Sequence, residues 1–471
     1  MILALVLVAR AEALDLTYDD ALARASEAAV GVQVARSEHA AALGALLVAR
    51  APFEPTLTLG GSWFSSTDEG QAQFGAYTSE TTGFSAQSRL AQAFATGTGV
   101  SLEFTADQSD SSFLLEEFNA EFGEPAWGNK LAIGLSQSLL QGDRLAWNLR
   151  GVHAAESAVS AAELGTEMAR QEAVAGAARA YWSLSAAERL RAIAVLSRSA
   201  SEEQARITRA LVDAGKLAPV EATRLAAALA QAERALLDAD AAVGAAADAL
   251  ATSVGLPLDT ELRLQTPAAP PPELPRDDAA VLAAVRSGSL TLRLARAAVE
   301  DRERELRDAR HALLPELDAT AGASLRGYDS SFGASFDELG AATLPQWSLG
   351  AELTLPLLNR SDRGAAAQAE AALVRARIDL ASREGDVETG ARAQLRTLAG
   401  ARQSLDLAEL NVRLAEETLA AERARLSEGR SLQRDLITAQ ADVDRARADA
   451  EKARTDWLLA LIELERLRGG L

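Results

Sequence analysis

The sequence predicts an α+β protein in which long antiparallel helical hairpins alternate with groups of strands, arranged as an internal twofold repeat. The first observation is a long amphipathic run, 363–467, interrupted only once by a short polar turn. Its first arm has roughly 65 proline-free residues, which at 1.5 Å per residue is a rod of about 100 Å, longer than helices of globular domains. The second observation is a similar pair of arms at 145–250, and the third is a set of residues that recurs along the chain.

Each hairpin turns at a glycine. The first turn contains Gly215 and the chain resumes at Pro219, a residue type that suits the first turn of a helix. The second turn contains Gly429. Because glycine in a short polar turn is a natural helix stop, the two arms are expected to fold back on each other. An acidic residue follows each glycine by six positions, Glu221 in the first hairpin and Asp435 in the second.

The repeated residues indicate a tandem duplication with a displacement of 260 positions. They are Ala35-Arg36, Ala49-Arg50 and Pro55-Thr56-Leu57, which recur as Ala295-Arg296, Ala309-Arg310 and Pro315-Glu316-Leu317. The predicted organisation is a signal peptide (1–13), a first repeat (14–265), a proline-rich linker (266–275) and a second repeat (276–471). Within the repeats we expect a helix at 16–50, strands at about 55–140 and 316–357, and helical hairpins at about 145–254 and 363–468.

Composition excludes several classes of function. The formal net charge of −20 argues against a nucleic-acid partner, because a phosphate-binding surface is basic. The chain has no cysteine, which excludes disulfides, thiolate metal sites and a lipid-modified cysteine. The three histidines, His39, His153 and His311, are far apart in sequence, so no metal site is expected. The sequence shows no catalytic nucleophile, no pair of acid and base residues and no phosphate-binding loop. We therefore expect neither an enzyme nor a cofactor.

The first residues resemble a targeting segment. Residues 1–8 are uninterrupted apolar and precede Ala11-Glu12-Ala13, a small-x-small cleavage pattern, which favours a secretory signal peptide. The positive n-region is missing, and a hydrophobic cap on the first helix is the alternative. The sequence has no run of 18 apolar residues, so a membrane-spanning form of this chain would have to be a barrel.

Four stretches alternate with a period of two residues and predict strands of one design. Their polar positions are mostly Thr, Ser and Gly, as on the water-filled side of a wide barrel. Their apolar positions are then expected to face lipid, in particular Leu57, Leu59, Leu131, Ile133, Leu349 and Leu353. Aromatic residues near the strand ends suit a membrane girdle, although a capped edge of a soluble sheet is equally compatible; they are Trp63, Phe64, Trp127 and Trp347.

Extra material lies between the first two of these stretches. Residues 82–107 alternate again around a turn at Ala95-Thr96-Gly97, and form either a further barrel hairpin or a hairpin folded outside the barrel. The flanking segments 65–79 and 108–128 are rich in Ser, Asp, Glu and Gly, and are predicted to be external loops.

With these residues in view, the chain resembles the TolC-like outer-membrane efflux protein family. The resemblance covers nearly the whole mature chain and rests on order, spacing and duplication together. The residues that carry it are Leu314-Pro315-Glu316-Leu317, Pro356-Leu357-Leu358-Asn359-Arg360, Ser138-Leu139-Leu140-Gln141-Gly142, and the paired glycine turns at Gly215 and Gly429.

The resemblance implies a homotrimer in the cell outer membrane. The strands would form one β-barrel, with four or six strands from each protomer, and the helices a tunnel through the periplasm. It also implies a passive export duct of a tripartite efflux or type I secretion system, working with an inner-membrane pump and a periplasmic adaptor. Gly215, Glu221, Gly429 and Asp435 would lie at the periplasmic constriction, where the carboxylates either favour cations or only complement helix dipoles. The alternative function is a soluble coiled-coil scaffold with a small sheet.

Overall fold

A computed structural model describes residues 14–72, 75–115, 120–122, 126–258, 260–265, 278–428, 430 and 433–470. The predicted signal peptide, the proline-rich linker and Gly429 lie outside the described residues. Within the described ranges, no helix is both long enough and apolar enough to span a membrane.

The described residues of the first half form seven strands and five α-helices. In chain order they are β1 (Leu14–Leu16), α1 (Tyr18–Ala28), α2 (Val30–Arg50), β2 (Thr56–Ala72), β3 (Gly75–Ala93), β4 (Thr98–Leu115), β5 (Ala120–Phe122), β6 (Ala126–Ser138), α3 (Leu145–Asn148), α4 (Arg150–Asp213), α5 (Pro219–Ser253) and β7 (Leu262–Leu264).

The second half repeats the plan with fewer strands. Its elements are α6 (Asp278–Gly288), α7 (Leu290–His311), β8 (Glu316–Asp329), α8 (Phe332–Gly340), β9 (Leu344–Thr354), α9 (Arg360–Ser427) and α10 (Gln433–Arg468). The predicted class, long helices combined with antiparallel strands, is confirmed.

The chain forms two compact units. One contains the described residues within 14–40, 161–296 and 378–470, which are helical apart from β1 and β7. β1 pairs with β7 in parallel, and the cluster beneath them contains Tyr181, Leu184 and Leu250, all at most 1% exposed. Burial of such side chains is the main source of stability here.

The first predicted helix, 16–50, is two helices in the structure. Thr17 caps α1, because its hydroxyl accepts a hydrogen bond from the backbone N–H of Asp20. Ala29 then takes an extended backbone (ψ 136°), which ends α1. The side-chain amide of Gln33 donates to the carbonyl of Ala28 at 3.0 Å, which satisfies a group that a continuous helix would have used.

The other unit, 41–160 and 297–377, contains the main sheet. Its strand order is β2-β3-β4-β6-β8-β9 with every neighbouring pair antiparallel, and β5 pairs with β4. Residues 82–107 therefore belong to the same sheet as the other strands.

The prediction of external loops at 65–79 and 108–128 was wrong. β2 and β3 stay paired as far as Ala72 and Gly75, and β4 continues to Leu115. Their composition, rich in Ser, Asp, Glu and Gly, misled the prediction, because a ladder needs only backbone groups, and polar side chains are tolerated on a strand when both faces meet water. The remaining residues of these segments, 73–74, 116–119 and 123–125, are outside the described residues.

Candidate functional site

One face of the six long strands of the main sheet carries the large apolar side chains. Residues directly opposite in a ladder share a face, and the register joins Leu57 to Leu90, Leu90 to Leu102, and Leu102 to Ile133. By the same register all six residues predicted to contact lipid lie on this face. In the single chain they are exposed, from 37% for Leu131 to 75% for Leu349. We call this the apolar face.

Two of the predicted girdle residues, Trp63 and Trp127, lie on one row of the register, away from the end of the sheet where β2 begins at Thr56. Trp347 lies near the start of β9, and its row leads through Ile133 to Leu57. Trp63 of β2 is opposite Phe84 of β3, Phe84 is opposite Gln108 of β4, and Gln108 is opposite Trp127 of β6. Beyond Trp63, β2 reads Ser65 to Gly70 and is polar on both faces. The apolar face thus ends at a row of aromatic residues, as a membrane-embedded face does. Phe64 points to the opposite face, since neighbouring residues in a strand alternate.

The opposite face is polar, and it carries more charge than the sequence analysis anticipated. Arg89 and Glu103 pair across β3 and β4 at 4.0 Å, and Lys130 of β6 stands directly opposite Arg326 of β8. The sequence contains the pattern that predicts these charges, because the charged residues occupy the positions that alternate with the apolar ones along each strand. Such a face, which we call the polar face, is suited to contact with water.

Two carboxylates face each other near the other end of the polar face. Asp318 of β8 is directly opposite Glu352 of β9. The hydroxyl of Ser138 donates to Asp318 Oδ1 at 2.5 Å. The polar face therefore presents an acidic pair at the end where β8 begins and a basic pair nearer the aromatic row.

Helix α8, which the sequence analysis did not predict, packs on the apolar face over β6 and β8. Phe332 lies edge-on against Trp127 with ring centroids 5.3 Å apart. The amide nitrogen of buried Asn129 donates to the hydroxyl of Ser335 at 2.5 Å. A Cβ at Gly327 would lie 1.8 Å from the carbonyl oxygen of Ser335, so glycine at this position allows the helix to approach the sheet.

The segments leaving the strands are tied together by side chains. A ring nitrogen of His311 contacts the carbonyl of Gln141 at 2.6 Å, and the Gln141 amide donates to the carbonyl of Ala312 at 2.9 Å. Arg150 stacks over the ring of Trp147, which in turn packs against His311. These contacts join the ends of the strand groups of the two halves.

Asp308 lies near this junction, and its environment opposes ionisation. Burial raises the pKa of Asp308, although the positive charges of Arg150 and Arg307 act in the other direction. A folded-state pKa above the unfolded value means that stability falls as the pH rises through the folded pKa. Below the ordinary aspartate pKa of about 3.9 the penalty is absent.

Asp308→Asn is therefore expected to raise the melting temperature at pH 7, and this gain should shrink as the pH approaches 4, because the neutral amide avoids burial of a charge. Thermal unfolding followed by circular dichroism at several pH values measures it. Asp301→Asn on the same helix is the control, since Asp301 pairs with Arg304 and gains nothing from neutralisation. A pH-independent effect of Asp308→Asn would contradict the proposed cause.

Gly215 terminates α4 in a left-handed conformation, with φ +68°. The N–H of Gly215 donates to the carbonyl of Val212, and the N–H of Lys216 to that of Leu211, both at 2.8 Å. This pair of bonds is the Schellman motif, and it stops the helix so that α5 can begin at Pro219. No atom lies within 4 Å of a Cβ placed at Gly215, so backbone conformation is what requires glycine there.

We call the ends of the helical hairpins, between α4 and α5 and between α9 and α10, the tips. The predicted acidic residue of each tip lies in the first turn of a helix. Glu221 is in the first turn of α5 and pairs with Arg224 at 3.1 Å. Asp435 is in the first turn of α10 and pairs with Arg434 at 3.1 Å. Both placements favour a carboxylate through the helix dipole, and both carboxylates remain partly exposed.

A groove of about 440 Å³ lies between the two hairpins near their tips. α4 and α5 line one side, and α9 and α10 the other, where Arg423 donates to Gln440 at 3.2 Å. At its edge, a hydrogen bond from Arg206 lowers the pKa of Glu203. Among the described residues no group of His, Asp and Glu has the arrangement of a metal site.

The structure resembles several solved outer-membrane proteins. It superposes on the outer membrane protein VceC of Vibrio cholerae with a TM-score of 0.70 and 16% identity, covering 96% of both chains. The CmeC outer membrane channel of Campylobacter jejuni gives 0.69 and 13%, covering 96% of this chain and 85% of that one. The MtrE outer membrane channel of Neisseria gonorrhoeae gives 0.68 and 17%, covering 98% and 93%. At these identities the likeness concerns the fold.

Sequence comparison identifies the family. No curated protein sequence matches the chain. The family model of outer membrane efflux proteins, however, matches residues 18–256 and 281–470. This match includes both halves and favours an export channel over a soluble scaffold. The chain therefore belongs to the outer membrane efflux protein family, whose members are outer-membrane channels that extend into the periplasm and are not enzymes.

Proposed function

We propose that this chain is the outer-membrane duct of a tripartite efflux or type I secretion system, and that it works passively with a periplasmic adaptor and an inner-membrane pump. The observation that carries the proposal is the two-faced sheet. One face is apolar and exposed, and the other is polar and charged, which is the arrangement of a barrel with lipid outside and water inside.

The free edges of the sheet support the proposal that the duct is a homotrimer. In the described sheet, β2 and β9 each pair along one side only. Free strand edges are not tolerated in hydrocarbon, and six strands are too few to close a barrel, for which about eight are needed. Identical protomers joined edge to edge satisfy both requirements.

The assembly is tested by extracting the protein from outer membranes in mild detergent and measuring its mass by light scattering. A trimer that forms ion-conducting pores in planar bilayers is the expected result. A stable, folded monomer, or a protein found only in the soluble cell fraction, would overturn the proposed function.

We assign the tips to the periplasmic mouth of the duct. There, threefold repetition would bring Glu221 and Asp435 together as up to six carboxylates around a narrow opening, and such a ring would favour cations. Each carboxylate also complements its own helix dipole, and these two roles predict different results for the same variants.

The double variant Glu221→Ala/Asp435→Ala is expected to lower the cation preference of single channels and to weaken block by multivalent cations, while trimers still form. Reversal potentials in a salt gradient measure the change. A matched control is Glu203→Ala, which removes a carboxylate of α4 that is likewise paired with an arginine of its own helix, Arg206. Unchanged selectivity in the double variant would restrict the two carboxylates to a helix-end role.

The groove between the hairpins is where we place the adaptor. It lies beside the tips and has both apolar and polar lining residues, including Leu225, Leu436 and Gln231, which suits a helical partner of mixed polarity. Substituting Ala228, which lines the groove, by Trp should block export while trimers and pores remain normal.

A further inference from the structure

In the part of the chain that the structure describes, the first half has one more strand hairpin in the main sheet than the second. The displacement of 260 positions aligns the start of β2 with the start of β8, since Pro55-Thr56-Leu57 corresponds to Pro315-Glu316-Leu317. β6 and β9 correspond as well, because each leads into one of the two longest helices, α4 or α9. Among the described residues, only helix α8 lies between β8 and β9, whereas β3 and β4 lie between β2 and β6 in the sheet. They are an inserted hairpin.

The inserted hairpin is an integral part of the sheet. β3 pairs with β2 along its length, and β4 pairs with β6 from Thr98 to Ser109. Both faces continue through it, with Leu90 and Leu102 on the apolar face and the Arg89–Glu103 ion pair on the polar face. A hairpin folded outside a barrel would have no reason to continue both faces, because only one of its sides would meet the barrel.

The stagger of the strands has the value that barrel closure requires. Successive pairings lead from Thr56, the first residue of β2, to Ser348 of β9, which lies six residues before the end of that strand at Thr354. With about 3.3 Å per residue and 4.8 Å between strands, this offset over five steps gives a strand tilt of about 40°. Transmembrane barrels have tilts of about 35–45°.

We infer that the trimer closes an eighteen-stranded barrel, and that the inserted hairpin β3–β4 sets its width. This inference rests on the proposed function. Without the insertion, two strands from each repeat would give twelve per trimer. Since barrel diameter grows roughly linearly with strand number, the insertion makes the barrel about 1.5-fold wider.

The width of the barrel indicates what kind of cargo the duct can pass. Barrels of 16 to 18 strands leave an aqueous channel, and the inserted hairpin lines that channel with Gln87, Arg89 and Glu103. The outer-membrane end of the duct is therefore fitted to bulky, hydrated cargo, and the strands do not set its size limit.

The first test counts strands in the intact protein. Electron cryomicroscopy of the trimer in lipid nanodiscs is expected to show eighteen strands. Cysteine pairs provide an independent measurement, because the chain has no native cysteine. Two double variants place one thiol on β2 and one on β9. They are Thr58→Cys/Glu352→Cys and Thr58→Cys/Gly350→Cys, which differ by two residues in the register between the subunits. One of these two variants should form a disulfide between neighbouring subunits. The control Ser101→Cys/Glu352→Cys, on β4 and β9, should not.

The second test removes the insertion. Replacing residues 67–125 with Asn-Gly leaves β2 free to pair with β6 through a two-residue hairpin turn. We expect a trimer whose barrel has twelve strands and about two-thirds of the original diameter.

The outcomes separate this inference from the proposed function. Twelve strands in the intact protein, or cross-linking through β4 in place of β2, would overturn the eighteen-stranded barrel and leave the duct standing. Absence of pores and of membrane insertion would instead remove the proposed function. If the deletion variant does not fold, the strand count of the intact protein decides.

Discussion

Ile133→Arg is expected to destabilise the membrane-inserted protein by about 2 to 4 kcal/mol, the cost of a cationic side chain near the centre of the lipid-facing side of a barrel. Ile133 is in the middle of β6, on the apolar face, and is 53% exposed in the single chain. Denaturant unfolding in lipid vesicles, followed by tryptophan fluorescence, measures the free-energy difference against the original protein.

The neighbouring residue provides the control. Ala132 is on the polar face, directly opposite Glu103, so Ala132→Arg places the same side chain in water beside a carboxylate. It should cost little. If both variants assemble like the original protein, or if Ala132→Arg is the more harmful, the assignment of the two faces is wrong.

The depth of a residue in the membrane provides a second comparison. Leu349 lies inside β9, whereas Leu353 is next to its last residue, Thr354. The cost of arginine falls to about 0–1 kcal/mol near the membrane interfaces. Leu349→Arg should therefore be more destabilising than Leu353→Arg, and an equal cost at both positions would argue against a membrane boundary near Thr354.

The sequence predicted those features of the fold that depend on local periodicity. The long helices are visible because their apolar residues recur at three and four positions, and the alternation through Leu57 or Leu349 fixes a strand face whatever its partners are. The register shows that these faces coincide across six strands, which no single strand could reveal.

The sequence did not predict features that depend on contacts between distant segments. Helix α8 is only nine residues long, and its place is fixed by Gly327 and by the Asn129–Ser335 hydrogen bond. Alternation in residues 65–70 was hidden because both faces of the strand are polar there. At the tips, Glu221 and Asp435 are where the helix-start pattern placed them, but a shared opening is a property of an assembly and cannot be read from one chain.

The role of Tyr181 also depends on contacts between distant segments, and its replacement has the largest expected effect on stability. Its ring is fully buried, and its hydroxyl donates to the carbonyl of Gln265 at 2.5 Å, 84 residues along the chain. The ring also packs edge-on against Tyr18, with centroids 5.4 Å apart. One side chain thus joins the first helix, the long helix α4 and the segment that follows β7.

Tyr181→Ala is expected to cost about 3–5 kcal/mol, because a large buried ring is lost and a cavity remains. Tyr181→Phe keeps the ring and loses only the hydrogen bond, so it should cost about 0.5–1.5 kcal/mol. The two variants can be compared by denaturant unfolding of the purified protein. If the phenylalanine variant were as unstable as the alanine variant, the hydrogen bond to Gln265, and not the buried ring, would be the main stabilising contact of this cluster.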